Sequence, residues 1–553
     1  MDQPNGGSRI AAVDVSRRRF LAGLALGGSA IVFPGLLAAC SADTADPGGS
    51  TSAGSSGGPG SSTAPAATSS GSAGSGAEQL IAGQLFEFTT FDPWFIGATN
   101  RLMHFQIYDP LVALSPEDGS YQPALASSWD LSDDGKSITL HLRDDVTFHN
   151  GKPFSAEDVL SNIERAKDAS IGHVLNIGAA RIASSKATDE HTVEITFNDP
   201  QPESVVLDFF AAMFIIQPDA MKDVQTAPAG TGPYKFDSFK PGQELVLTAR
   251  DDYWMEGLPK TPKLVVKPFK DAAALALNLQ GGSIDWVNGI DYNQVDTLQS
   301  AGLTVSIEEV LGAFWEFSIN VKQPHLADKR VRQAIAYAVD REKIVKSVFF
   351  EHSKPTCTPF YNDKLPVYKE DDLHRYDFDL DKAAALLKDA GADGLKFEAA
   401  FQSSLPQAGS ILEIVQADLA KIGVTVTIKA MPSTEASDYY NSRTYEIFST
   451  ASAIVPRDLS YVFSSVANFR ADDKIITNWI DPTYQDLVSQ AAGELDADKR
   501  TALYGQVRDL VMEEQPQVAI ATRPNLYAFR KGVTGFKDNI GDFPVLAALE
   551  ASS

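Results

Sequence analysis

The apolar and polar positions beyond residue 80 follow two different periods. Residues 141–148 alternate in the manner of a β-strand, and Asn150-Gly151 directly after them predicts a turn. Residues 330–346 repeat apolar side chains every three or four positions, which predicts an amphipathic helix. The core stripe predicted for this helix consists of Val331, Ile335, Ala338 and Val339.

Further segments continue this exchange of helices and strands. Residues 155–158 read S-A-E-D, a capping serine followed by two acidic residues, so a helix begins there. Residues 381–390 predict another helix, which Gly391 ends. Residues 411–422 predict a third, before a strand at 424–428. Helices that alternate with strands indicate α/β lobes. The first of these helices presents Val159, Leu160 and Ile163 on one face.

The first forty residues have a pattern of their own. Residues 16–21 read S-R-R-R-F-L, an apolar run follows, and residues 37–40 read L-A-A-C. This order predicts a twin-arginine export signal at Arg17 and Arg18 and a lipobox at Cys40. Removal of residues 1–39 would leave the protein on the outer face of a bacterial cell membrane, held by lipid on Cys40. The alternative is an uncleaved N-terminal membrane anchor, which the glycines and proline of the run disfavour.

Residues 41–77 consist almost wholly of Ser, Gly, Ala, Thr and Pro, with no apolar period. Such a composition predicts a disordered linker after the lipidated Cys40. A flexible chain of this length has an end-to-end distance of roughly 35 Å. The linker would therefore tether a globular body, residues 78–553, that moves above the membrane.

Charge and cysteine content narrow the function classes. The chain holds 47 Lys and Arg against 72 Asp and Glu, a formal charge of −25, which argues against nucleic acid and anionic membrane surfaces as partners. Residues 78–553 are too many for one core, so two or three domains are expected. With Cys40 lipidated, only Cys357 remains, and no internal disulfide can form.

The sequence contains no recognisable catalytic centre. Residues 135–137 read G-K-S, but Asp130 stands where a phosphate loop needs glycine, and a hairpin turn is the better interpretation. The eight histidines form no metal-binding pair or cluster. Cys357 lies between Thr356 and Thr358 in a segment flanked by prolines, and it is predicted to be structural rather than nucleophilic. An exported body without a reaction centre suggests a binding protein, with no enzymatic activity, cofactor or metal.

Ordered motifs along residues 80–545 carry a resemblance to one family. Residues 139–151 read T-L-H-L-R-D-D-V-T-F-H-N-G, and S-A-E-D-V follows at 155–159. The chain resembles the extracellular solute-binding proteins of family 5, which serve peptide, nickel and related ABC importers. The other motifs are 91–93 (F-D-P), 108–112 (Y-D-P-L-V), 123–129 (P-A-L-A-S-S-W), 230–234 (G-T-G-P-Y), 253–254 (Y-W), 328–335 (D-K-R-V-R-Q-A-I) and 340–342 (D-R-E).

The resemblance implies a two-lobed periplasmic-binding-protein fold of type II, in which ligand closes two α/β lobes around a cleft. It places the two chain crossings between the lobes near 267–271 and near 520–523. Lobe I is then 78–268 plus 522–553, with a subdomain at about 113–220, and lobe II is 269–521. A monomer that presents its closed form to ABC permease subunits is expected.

The resemblance also implies two ligand-binding segments, one in each lobe. The first gives Gly97, Ala98 and Thr99. The second, aligned through residues 445–447, gives Ala451, Ser452, Ala453, Val455 and Asp458. The family's Trp is Ser452 here, and the Asp that pairs with a peptide's α-amino group is Val455. A buried ammonium without a counter-charge is costly, so a free peptide N-terminus is not expected to be held in the usual way.

Two alternatives bear on this expectation. An alignment shifted by one or two residues would make Asp458 the ammonium partner instead. Phe314 and Trp315 could line the cleft and stack on a ligand, or could be core residues of the second lobe. The expected solute is oligopeptide-like, blocked, cyclic or uncharged, with a glycoside, opine or metal chelate as the alternative. A receptor or chaperone that reuses the fold is the other class of function.

Overall fold

The computed structural model describes residues 77–85, 87–95, 98–115, 119–453, 458–466, 468–537 and 546–552. Arg17, Arg18 and Cys40 lie outside these residues, together with the predicted signal and the linker up to residue 76. Gly97 and Val455 also lie outside them. Within the described ranges, no helix is long and apolar enough to cross a membrane.

Within the described residues, the strands pair into three main sheets and two short two-stranded sheets. In chain order they are β1 (Leu80–Leu85), β2 (Val112–Leu114), β3 (Tyr121–Pro123), β4 (Ala126–Leu131), β5 (Ser137–Leu142), β6 (Ile182–Asp189), β7 (Thr192–Phe197), β8 (Tyr234–Lys240), β9 (Glu244–Ala249), β10 (Lys263–Phe269), β11 (Trp286–Asn288), β12 (Thr304–Glu308), β13 (Ala313–Ile319), β14 (Lys396–Gln402), β15 (Thr425–Met431), β16 (Ile447–Ala453), β17 (Gln517–Thr522), β18 (Asn525–Phe529), β19 (Val533–Thr534) and β20 (Glu550–Ala551).

Helices cover the sheets and fill the connections between strands. In chain order they are α1 (Ala98–Ile107), α2 (Ala156–Lys167), α3 (Asn176–Ala179), α4 (Glu203–Ala212), α5 (Ala272–Gln280), α6 (Val295–Ser300), α7 (Lys329–Tyr337), α8 (Arg341–Val348), α9 (Leu380–Asp389), α10 (Pro406–Ala420), α11 (Ser433–Ser442), α12 (Leu459–Ser465), α13 (Pro482–Gly493) and α14 (Ala497–Glu514).

Two large sheets organise the molecule. The first sheet has the order β12-β18-β11-β1-β10-β9-β8, with β1 parallel to both β10 and β11. The second sheet has the order β15-β14-β16-β13-β17, with β14 parallel to β15 and β16 and with β13 antiparallel to its neighbours. A third, antiparallel sheet, β4-β5-β7-β6, lies within residues 113–220.

The chain passes from the first sheet to the second between β12 and β13, and returns between β17 and β18. The return lies next to the expected crossing at 520–523. The outward passage does not lie near 267–271, because α5 packs back against β1, β10 and β11 and delivers two more strands to the first sheet. The two passages touch, since the amide of Arg523 donates to the carbonyl of Ala313 at 2.8 Å. The hydroxyl of Tyr361 donates to the carbonyls of Val310 and Ala313, at 2.8 and 2.7 Å.

The local sequence signals explain most element boundaries. Ser155 begins α2, where its amide and hydroxyl both donate to the Asp158 carboxylate at 2.9 Å. Gly391 follows α9 with a φ of +67°, a conformation that favours glycine. The turn at residues 132–137 joins β4 to β5, so the G-K-S run belongs to a hairpin. The predicted strand at 141–148 is wrong after Leu142, because β5 ends there.

The helix predicted over 330–346 is instead two helices, α7 and α8. Its stripe of Val331, Ile335, Ala338 and Val339 is buried as expected. The break follows from Asp340, whose side chain accepts from the amide of Lys343 at 3.0 Å and so starts a new helix. The spacing of apolar residues predicts the buried face of α7 and α8, but it gives no sign of the Asp340 cap that separates the two helices.

Candidate ligand-binding site

A cavity of about 610 Å³ opens where the third sheet and its helices meet the end of β16. That volume lies in the range of small-molecule sites, roughly 300–1,000 Å³. Most of its wall is apolar, and residues 174–181 before β6 and the helix α4 each contribute several side chains to it. The second sheet's side contributes Ala453 at the end of β16, Ser460 and Tyr461 of α12, and Val466. The cavity therefore lies between the two parts of the chain that the crossings separate. The apolar wall includes Val174, Leu175, Ile177, Ile182, Val205, Val206, Phe209 and Ala212.

One wall of the cavity is fixed by Asp109 of the Y-D-P-L-V motif. Its buried carboxylate accepts hydrogen bonds from Thr231 and Tyr253 at 2.8 Å each and from Trp254 at 3.0 Å. These donors belong to the G-T-G-P-Y and Y-W motifs, so one carboxylate joins three separate motifs. Burial is the dominant effect on Asp109 and raises its pKa. The motif residues thus position the wall rather than contact a solute through a free carboxylate.

A close backbone approach supports the same wall. The amide of Gly232 donates to the carbonyl of Ile107 at 3.0 Å. A Cβ at Gly232 would lie 2.5 Å from the carbonyl carbon of Ile107 and 2.7 Å from the amide nitrogen of Tyr108. Only glycine leaves room for α1 to end against this turn.

Asp458 lies at the start of α12 and is fully engaged. Its carboxylate caps the helix by accepting from the amide of Ser460 at 2.8 Å, and it also accepts from the Ser204 hydroxyl. The Arg500 Nε lies 3.4 Å from its Oδ2. The Asp458 amide in turn donates to Asp208 at 2.8 Å. This network joins α4 to α12 and α14, and it leaves Asp458 unsuited to be an ammonium partner.

The end of β16 holds Ala451, Ser452 and Ala453, all half-buried. Ala453 lines the cavity, whereas Ala451 packs against the core beside α7 and α10. The hydroxyl of Ser452 donates to Oε1 of Glu316 on the neighbouring strand β13, at 2.7 Å. The Ser452 hydroxyl therefore satisfies part of the hydrogen-bonding capacity of a buried carboxyl group.

Glu316 is completely buried. Besides Ser452, the Ser318 hydroxyl at 3.2 Å and the side-chain amide of Asn468 donate to its Oε1. Its Oε2 has no hydrogen-bond partner among the described residues. Desolvation raises the pKa of Glu316 to about 7, because burial disfavours the charged form and no cation compensates it.

Phe314 and Trp315 do not line the cavity. They are neighbours on β13 and so point to opposite faces of the second sheet, and both faces are covered. The Phe314 ring is wholly buried and lies 6.5 Å from that of Phe469. Trp315 packs against Phe349 at 5.7 Å between ring centres. Phe314 and Trp315 therefore lie in the core, which is the second of the two positions that the sequence left open for them.

The helix α1, which begins in the first predicted segment, contributes to the cavity wall through later residues. Ala98 and Thr99 are the first two residues of α1, and the same helix contributes Arg101 and Phe105 to the cavity wall. Arg181, just before β6, also lines it and donates from Nη1 to Oε1 of Gln201 at 3.0 Å. Burial lowers the pKa of the Arg181 guanidinium.

Sequence reasoning missed several residues of the cavity wall, including Ile177, Arg181 and Phe209. One signal for them exists. Residues 205–216 read V-V-L-D-F-F-A-A-M-F-I-I, an apolar run too wide for one buried helix face. In the structure, one side of α4 packs into the core through Leu207 and Phe210, while Phe209 faces the cavity. No group of three or more His, Cys, Asp or Glu that could hold a metal ion occurs in the described part of the chain.

Comparisons with known proteins agree with this arrangement. The profile of the bacterial extracellular solute-binding proteins, family 5 Middle, matches residues 120–471. The glutathione-binding protein GsiB of Shigella flexneri serotype 5b (strain 8401) is 26% identical over 482 residues, which cover 84% of this chain and 93% of the relative.

Two solved structures are similar over almost their full lengths. NikA from Brucella suis in complex with Fe(III)-EDTA has a TM-score of 0.78 and 25% identity, covering 85% of this chain and 99% of that one. The ABC transporter substrate-binding protein CtaP from Listeria monocytogenes has a TM-score of 0.78 and 24% identity, covering 87% and 100%. These likenesses confirm the expected α/β, two-lobed fold of type II periplasmic binding proteins.

The matching profile extends over more than half of the chain, and its relatives are solute-binding rather than enzymatic components of transport. Family 5 proteins bind small solutes outside the cytoplasm and work with ABC permeases. The chain therefore belongs to the extracellular solute-binding proteins of family 5, the substrate-binding components of ABC importers.

Proposed function

We propose that this protein is lipid-anchored at Cys40 after twin-arginine export and captures an oligopeptide-like solute in the cavity between its lobes. The observation that carries the proposal is the cavity itself, about 610 Å³ with a mainly apolar wall drawn from both sides of the crossings. A wall made from two lobes releases its solute when the lobes separate, as delivery to a permease requires.

The carboxylates in and beside the cavity already have hydrogen-bond partners, and this limits how a solute can be held. Asp109 accepts three hydrogen bonds, and Asp458 is committed to its helix cap, Ser204 and Arg500. Asp208 accepts from the Tyr121 hydroxyl and from the Asp458 amide, at 2.8 Å each. A peptide ammonium would need one of these groups to give up its partners, which is costly in a closed site. A solute without a free amine fits better.

The network around Asp458 also supports closure. Ser204 and Asp208 lie on α4, whereas Asp458 and Arg500 belong to the part of the chain between the crossings. Their hydrogen bonds form only when these two parts meet. A solute that bridges the cavity and these polar contacts would stabilise the same closed arrangement.

Native mass spectrometry of the purified protein, followed by calorimetry with Leu-Phe and N-acetyl-Leu-Phe, tests the proposal. A co-purified small solute and tighter binding of the acetylated peptide are expected. Val455→Asp should improve binding of the free-amine peptide, because a close charge pair can contribute a few kcal/mol. Tight binding of Leu-Phe that acetylation abolishes would contradict the proposed absence of an ammonium partner.

Closure of the two lobes on the solute is tested by a separate measurement. Small-angle scattering should give a smaller radius of gyration at saturating solute than without it. An unchanged radius would argue against closure while leaving the cavity as a binding site. For the anchor, the proposal requires that the exported protein carries lipid, which mass spectrometry of membrane-extracted protein detects directly.

A further inference from the structure

Arg181 is a cation of the cavity wall whose charge has little to compensate it. Its guanidinium carries five N–H donors, and the acceptor of its hydrogen bond is the neutral amide of Gln201. Among the described residues, no carboxylate lies in ion-pair contact with it. The carboxylate with the largest electrostatic effect on it is that of Asp458, whose own ion pair is with Arg500. The cavity therefore borders on a half-buried cation that keeps spare donors.

The surroundings of Arg181 define what such a cation could bind. Ile177 precedes it, Ile182 follows it, and Phe209 packs over Gly178 close by. Burial is the largest influence on the guanidinium and lowers its pKa, which is the mark of a charge that has lost water without gaining an anion. Arginine forms short, bidentate bonds with carboxylates and sulfonates, and these are stronger where water is excluded.

We propose that the solute has an apolar body and an anionic group, with the anion held by Arg181 and the body by the wall of α4 and the segment before β6. This inference rests on the proposed function and names the class of solute. It fits an N-blocked peptide with a free carboxylate. It also agrees with the engagement of Asp109, Asp208 and Asp458, which leaves no described carboxylate of the cavity ready for a cation.

Two fluorescent probes with the same aromatic framework test the charge alone. 8-Anilinonaphthalene-1-sulfonate carries a sulfonate, and N-phenyl-1-naphthylamine is the same molecule without it. The wild-type protein should bind the sulfonate more tightly, and each probe should displace the other. Arg181→Gln should weaken the sulfonate by about tenfold or more and leave the neutral probe unchanged, because only the charged contact is lost.

Matched variants separate this contact from a structural effect. Arg181→Lys keeps the charge and should recover part of the sulfonate affinity. Lys186→Gln removes a cation from the exposed part of β6, the strand that follows Arg181, and should change the affinity for neither probe. Equal binding of the two probes by wild type, or an equal loss of both in Arg181→Gln, would overturn the assignment of the anion to Arg181. In either case the neutral probe would still report an apolar cavity, so the proposed function would stand. Failure of both probes to bind would overturn both.

Discussion

The buried carboxyl of Glu316 should make the stability of the protein depend on pH, and Glu316→Gln should remove that dependence. The pKa of Glu316 is raised from 4.5 to about 7 in the folded protein, which corresponds to about 3 kcal/mol. Below the pKa of Glu316 in the unfolded chain, its carboxyl is protonated in both the folded and the unfolded state, and the free energy of unfolding is not reduced. As the pH rises, the unfolded chain ionises first, so stability falls progressively until the folded protein ionises near pH 7.

Glutamine keeps the acceptor at Oε1 for Ser452 and Ser318 and remains neutral at every pH. Relative to wild type, the free energy of unfolding of Glu316→Gln should therefore rise by about 3 kcal/mol between about pH 4.5 and about pH 8. Urea unfolding at a series of pH values measures this difference, and subtraction of the wild-type curve cancels the other titrating groups.

Glu435 provides the control, since it is exposed on α11 and water solvates its carboxylate. Glu435→Gln should follow the wild-type curve at every pH. A constant difference between Glu316→Gln and wild type across the series would refute the reasoning, because it would mean that Glu316 has the same pKa in the folded and the unfolded protein.

Three further predictions follow from the structure and the sequence. Gly232→Ala should destabilise the protein by about 1–3 kcal/mol because its Cβ would collide with Ile107, whereas Gly505→Ala, where no atom lies within 4 Å, should not; thermal melts compare the two. Cys357 is 2% exposed and burial raises its pKa, so a thiol reagent should label it slowly in the native protein and rapidly in urea; fast native labelling would contradict this. Cys40→Ser should be released from membranes or stay unprocessed, and membrane retention of a fully cleaved variant would exclude the lipid anchor.

The sequence predicts the family, the fold and the buried helix faces because these depend on local spacing and on ordered motifs. The stripe from Val331 to Val339 is an example, since periodicity alone identifies it. The cavity is harder to predict from the sequence because its wall joins residues that are remote in sequence, such as Ile177, Phe209 and Ala453. Their proximity depends on how the third sheet meets the second, and no local pattern encodes that.

The placement of Phe314 and Trp315 shows a second limit. An aromatic pair before a strand predicts a contact surface, but whether it is a binding site or a core depends on what covers each face of the sheet. The first crossing was misplaced for a similar reason. A helix after β10 is compatible with entry into a new lobe, and only the pairing of β11 with β1 shows that the chain returns.

The hydrogen bonds from Tyr361 to the carbonyls of Val310 and Ala313 have a kinetic consequence. The outward passage is thereby held to the second lobe, so rotation between the lobes must be concentrated in the few residues beside β12 and β18. Tyr361 does not line the cavity. Tyr361→Phe would remove these two hydrogen bonds and change how often the lobes open, while the groups that contact the solute would stay unchanged. If the proposed closure delivers the solute, the rate of lobe opening and the preference for a solute would depend on different residues and could be altered separately.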